Sequence, residues 1–114
     1  MITIEKLNRF GADTEDGLAR CCGSEALYLR LVKMAADEKS FDKLTRAANE
    51  KNYKEAFEAA HSLKGVLGNL SLTPLYDKVC KMTELLRAEE KTDYAALTAE
   101  TDGLREELCA LCGE

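Results

Sequence analysis

The side chains of this chain best suited to covalent or metal chemistry are one histidine, His61, and five cysteines, Cys21, Cys22, Cys80, Cys109 and Cys112. An imidazole can serve as nucleophile, general base or ligand. There is no second histidine with which His61 could share a metal, and no Ser, Cys or carboxylate is expected at the same spot to complete a hydrolytic set. Neither a P-loop signature nor a GxGxxG dinucleotide motif occurs, so no ATP site is expected and any phosphate chemistry leaves the nucleotide to another protein. The odd cysteine count, without an export signal, argues against a disulfide framework. Cys109 and Cys112 form a CxxC without the βαβ context of a thioredoxin-like site, and small buried or half-buried apolar roles are expected for them. A zinc site built from Cys21, Cys22, Cys109 and Cys112 would require the chain ends to meet and adjacent residues to act as ligands.

The segment around His61 is helical in pattern. At 100° per residue with Phe57 at the origin, Tyr53, Ala56, Ala60, Leu63, Val66, Leu67 and Leu70 fall between about 180° and 320°, which defines a core face. His61 falls near about 40°, Gly65 near about 80°, Gly68 near about 20° and Lys64 near about 340°, on the side away from that face. Each glycine inside a helix costs roughly 1 kcal/mol against Ala, so two beside an exposed imidazole call for a reason. Clearance for an approaching backbone or phosphoryl group is such a reason. Lys64 can offset negative charge on the ring. A convex surface of this kind cannot envelop a small substrate, so the reacting group would arrive on another protein. The same spacing also fits an ordinary solvated histidine.

The elements that must position this residue read as all-α, since β-alternation is absent and helical periodicity covers nearly everything after residue 13. Ile4, Leu7 and Phe10 predict a short helix ending at Gly11, and a second short helix starts at Asp13 or Thr14 and stops before Gly23. Ser24 caps the next helix, with Leu27, Tyr28, Leu31, Met34 and Ala35 on one face. Whether that helix breaks near Asp37 to Ser40 or continues through Phe41, Leu44 and Ala48 is left open by the absence of Gly or Pro. Lys51-Asn52 marks a turn before the His61 helix, which runs from Tyr53 to about Leu70. Thr73-Pro74 reads as a cap followed by proline at the first helical position, with a stripe of Leu75, Val79, Met82 and Leu86. The last helix follows Thr92-Asp93, with Tyr94, Leu97, Thr101, Leu104, Leu108 and Leu111 on one side. The expected architecture is an antiparallel four-helix bundle with one or more short N-terminal helices, in a single domain over residues 1–114.

The 114 residues carry 16 Lys and Arg against 21 Asp and Glu, a net charge of −5, with no basic cluster to hold a phosphate backbone. Nucleic acid is thus not expected as a partner. No apolar run is long enough for a membrane span or a secretory signal, and a cytoplasmic location is expected. The Met start and the absence of a linker suggest a complete small protein, and a domain excised from a longer chain would look similar.

Ala60-His61-Ser62-Leu63-Lys64-Gly65, with Leu67 and Asn69-Leu70 after it, resembles the signature of histidine phosphotransfer (HPt) domains of bacterial phosphorelays. The stretch Asp16-Gly17-Leu18-Ala19-Arg20, then Gly23 and Leu27-Tyr28, is similar to the opening of such domains. The resemblance implies a bundle whose exposed His61 accepts a phosphoryl group from the aspartate of one receiver domain and passes it to another. It implies charge support from Lys64 and steric clearance at Gly65, and we assign Gly68, Lys54 and Phe57 to the docking face. The chain would be a monomeric carrier that binds no cofactor, with Mg²⁺ supplied by the receiver. Val66, Leu67 and Ser71 depart from the family pattern, which favours small residues after the Lys-Gly pair and glycine at the position of Ser71. A second reading is a helical module that docks a signalling partner without being phosphorylated.

Overall fold

The computed structural model describes residues 1–113 and contains seven helices among them. These are α1 (Ile4–Phe10), α2 (Thr14–Arg20), α3 (Glu25–Ala36), α4 (Ser40–Asn49), α5 (Tyr53–Asn69), α6 (Thr73–Arg87) and α7 (Tyr94–Gly113). The described residues include no strand.

Local sequence explains most boundaries. The side chains of Thr3, Asp13, Ser24 and Asn52 each accept from a backbone N–H in the first turn of α1, α2, α3 and α5. Gly11 ends α1 in the left-handed region at φ 106°. Lys51 turns the chain between α4 and α5 at φ 62°. One expected boundary moves. The cap of α6 is Leu72 rather than Thr73, which lies inside the helix ahead of Pro74 and donates its hydroxyl to the Ser71 carbonyl at 3.3 Å. Helix α2 stops at Arg20, before Gly23 as expected, and Cys22 and Gly23 carry the chain away from it in the left-handed region at φ 55° and 77°.

Helices α4, α5, α6 and α7 form the bundle, each packing on the next and α7 closing on α4. Their order is antiparallel. Arg46 at the end of α4 pairs with Glu55 at the start of α5 at 2.7 Å. Asn49, Thr45, Asp42 and Ala36 meet Thr98, Asp102, Arg105 and Cys109 in turn, so α7 runs back along both α4 and α3. Helices α3 and α4 are thus two segments at one corner of the bundle, which resolves the open question at Asp37 to Ser40 in favour of a break. Arg105 of α7 donates to the Ala36 carbonyl at 2.9 Å and supports the free end of α3. The Glu38 carboxylate accepts from the Ser40 amide at 3.3 Å and opens α4.

The core draws on every helix. Leu63, Leu67, Leu75, Val79, Met82 and Leu108 are fully buried, each leucine contributing about 1.5–3 kcal/mol. The expected stripe of α6 is therefore the observed one. On α3 the buried face is Tyr28, Val32, Ala35 and Ala36, whereas Met34 is 61% exposed and Leu27 and Leu31 are half-buried. The face is turned because α3 packs on α2 and α7 instead of folding back on α4. On α7, Thr98 is buried, while Leu97, Leu104 and Leu111 lie at the edge of the core. Tyr53 and Val66 of α5 are likewise half-buried.

Candidate functional site

His61 projects from the middle of α5 and is exposed, as the helical wheel requires. Ala59, Ala60 and Leu63, on the other side of the same turns, are buried and hold the helix in the bundle. Among the described residues neither ring nitrogen of His61 has a hydrogen-bond or ion-pair partner, and Glu58, three residues earlier, does not engage it. The ring lies against Phe57, with centroids 5.9 Å apart and planes 16° from parallel. Lys64 is half-buried, and its ammonium also has no ion-pair partner among the described residues. A Cβ built at Gly65 would meet nothing within 4 Å, so the surface one turn beyond His61 is open.

Gly68 differs from Gly65. A Cβ there would fall 2.9 Å from Tyr76 Cε1, so this glycine admits the Tyr76 ring of α6 between the helices. Its absence of side chain is explained by packing within the chain, beneath the Tyr76 ring. Phe57 is half-buried beneath Arg87, whose guanidinium carbon is 5.6 Å from the Phe57 centroid. Lys54 is exposed one turn before Phe57. With Tyr53, Leu86, Arg87 and Glu89, Lys54 and Phe57 line a shallow recess between the start of α5 and the end of α6.

The surface beside His61 is not convex as the helix alone suggests. His61, Lys64, Gly65 and Gly68 form one side of an open groove of about 630 Å³, whose other walls come from α2 and the start of α6. Helix α2 is moored there by the Asp13 amide, which donates to the Ser71 carbonyl at 2.9 Å, and by the Ser71 hydroxyl, which donates to the Asp16 carboxylate. Arg20 donates to the same carboxylate at 2.8 Å and stands at the groove edge. The Ser71 hydrogen bond, and after it Arg20, holds the Asp16 carboxyl below its usual range. Ser71 is left-handed at φ 54°, the conformation glycine adopts without strain, so the end of α5 keeps the shape a glycine would give it. Asp16, Arg20, Ser71 and Tyr76 were not legible as neighbours of His61. The pairing of Asp16 with Ser71 spans 55 positions, and its only trace in the sequence is the Asp16-to-Arg20 stretch similar to the opening of HPt domains.

Tyr28 braces this end of the molecule. It is buried, donates to the Leu70 carbonyl at 2.8 Å, and packs on Gly17, where a Cβ would lie 2.5 Å from Tyr28 Cζ. Burial pushes its phenol up to about 12.

The five cysteines are unpaired; Cys21 is buried, Cys22 exposed and the others half-buried. Burial pushes the Cys112 thiol up, away from thiolate reactivity. Among the described residues no group of three or more His, Cys, Asp and Glu could hold a metal ion, and no helix is long and apolar enough to cross a membrane.

A family model described as "Hpt domain" matches residues 29–113, a span that takes in most of α3 and all of α4 to α7. No curated protein and no solved structure gives a significant match.

Proposed function

The chain belongs to the Hpt domain family, whose members serve histidine phosphotransfer in phosphorelays, and we propose that its phosphoacceptor is His61, loaded and unloaded by receiver-domain aspartates. The observation that carries this reading is an exposed imidazole with both nitrogens uncommitted, beside a free Lys64 ammonium and an unobstructed Gly65.

A neutral ring nitrogen attacks the phosphorus of an aspartyl phosphate. The N–P bond forms as the P–O bond to the aspartate breaks, and the electron pair of the broken bond leaves with the carboxylate. The transition state is loose and demands alignment and charge neutralisation more than covalent assistance. Lys64 supplies positive charge from this chain, and Mg²⁺ held by the receiver would supply the rest. The reverse transfer uses the same groups in the opposite order. The partners are receiver domains of response regulators or hybrid kinases, met in the cytoplasm by a monomeric carrier, and the groove walled by α2 receives part of their surface.

Incubation with a phosphorylated receiver domain should place acid-labile, base-stable phosphate on the protein. His61→Gln should accept none while melting at the same temperature, because an exposed polar residue contributes little to stability. Absence of phosphate on the wild-type chain, with receiver binding retained, would replace this reading with that of an unphosphorylated docking module.

A further inference from the structure

No polar contact orients the His61 imidazole among the described residues, yet the ring is not without a restraint. Phe57 lies one turn earlier on α5, 5.9 Å away between centroids and 16° from parallel, an arrangement that places two flat rings in stacking contact. Phe57 is half-buried, and the Arg87 guanidinium sits 5.6 Å from its centroid. Arg87 is in turn held by both oxygens of Glu84, at 2.9 and 3.0 Å. A chain of contacts therefore runs from the end of α6 to the imidazole.

An exposed histidine on a helix otherwise samples more than one staggered χ1 well and a broad χ2. Only some of these orientations aim a nitrogen along the line of attack, and transfer is sensitive to that alignment. We propose that Phe57 is a positioning residue, whose ring holds the His61 imidazole in the orientation that offers its nitrogen to an incoming phosphoryl group, with Arg87 restraining Phe57 in turn. The proposal rests on His61 as phosphoacceptor and gives Phe57 a role distinct from contact with the partner.

The test uses the full chain and separates orientation from docking. Phe57→Leu keeps apolar bulk and removes the ring; Phe57→Tyr keeps the ring. Three-bond NMR couplings of His61 should report one χ1 rotamer in the wild type and in Phe57→Tyr, and rotamer averaging in Phe57→Leu. With a phosphorylated receiver domain, the maximal transfer rate of Phe57→Leu should fall about two- to tenfold, the range of a lost stacking contact, at an unchanged half-saturating receiver concentration. Phe57→Tyr should restore it. Arg87→Gln, an exposed change that leaves the bundle intact, should lower the maximal rate in the same direction by about twofold. Unaveraged couplings in both Phe57→Leu and Arg87→Gln overturn the proposal, as does an effect confined to the half-saturating concentration, which would make Phe57 a docking contact. A wild-type chain that accepts no phosphoryl group overturns the phosphoacceptor reading itself, a result distinct from either of these.

Discussion

Gly65 is where the idea of clearance can be put at most risk. Its Cα faces open space, so Gly65→Ala adds a methyl group that touches nothing within 4 Å and changes mainly the backbone entropy of the unfolded chain. The folded state should gain about 0.5–1 kcal/mol, or roughly 2–5 °C in Tm. Gly68→Ala makes the contrast, since the same methyl falls 2.9 Å from Tyr76 Cε1 and that ring must move, cancelling or reversing the gain. Gly65→Gln carries the functional question. Glutamine is a good helix former, so stability should hold near that of the Ala variant. Side chains on a helix lean towards its N-terminus, which brings the new amide back over His61. A phosphoryl group must come to about 3–3.5 Å from the attacking nitrogen, and a displacement of about 1 Å can cost 100-fold in rate. The assay is single-turnover transfer from a saturating phosphorylated receiver domain, read beside a thermal melt. Rates for Gly65→Ala should stay within a few-fold of wild type, and those for Gly65→Gln should drop by about 100-fold at equal or higher Tm. A stable Gly65→Gln with undiminished transfer would refute the clearance argument.

Lys64→Ala should keep the fold and slow transfer roughly two- to fivefold, the worth of an exposed charge contact, with the difference shrinking in high salt; equal rates at low salt would leave Lys64 an ordinary solvated residue. Gly17→Ala should lower stability by about 1–3 kcal/mol in urea denaturation, because its methyl would overlap the buried Tyr28 ring, and an unchanged midpoint would show that the ring yields freely. Asp16 yields a pH prediction. Its carboxyl is held below the ordinary value of 3.8 by Ser71 and then Arg20, so its ionised contacts stabilise the fold above that value and are lost as pH falls through the lower folded-state value. The stability advantage of wild type over Asp16→Asn should therefore be level from about pH 7 to about pH 5 and shrink below about pH 4; a gap independent of pH would show that Asp16 acts through shape alone.

What the sequence by itself determined is local and periodic. Ser24 is a cap wherever α3 packs, because it satisfies an amide within the first turn of its own helix. The 3.6-residue repeat alone puts Leu63 and Leu67 opposite His61, and it turns Leu75, Val79, Met82 and Leu86 to the core of α6. The exposure of His61 and its proximity to Lys64 and Gly65 follow from that repeat. Tertiary structure decided what depends on residues far apart in the chain. The corner at residues 37–39 carries no glycine or proline, and the free Ala36 carbonyl that ends α3 is met by Arg105, 69 positions away. Met34 is exposed and Val32 buried because the partners of α3 are α2 and α7, which periodicity does not name. The two glycines near His61 look alike on a wheel, yet Tyr76 fills the space above Gly68 and leaves Gly65 open. The groove exists because Asp13 and Asp16 moor α2 to Ser71. A helix's faces are set by bonds four residues apart, but what lies across each face is set by packing among all the helices at once, and no local pattern records it.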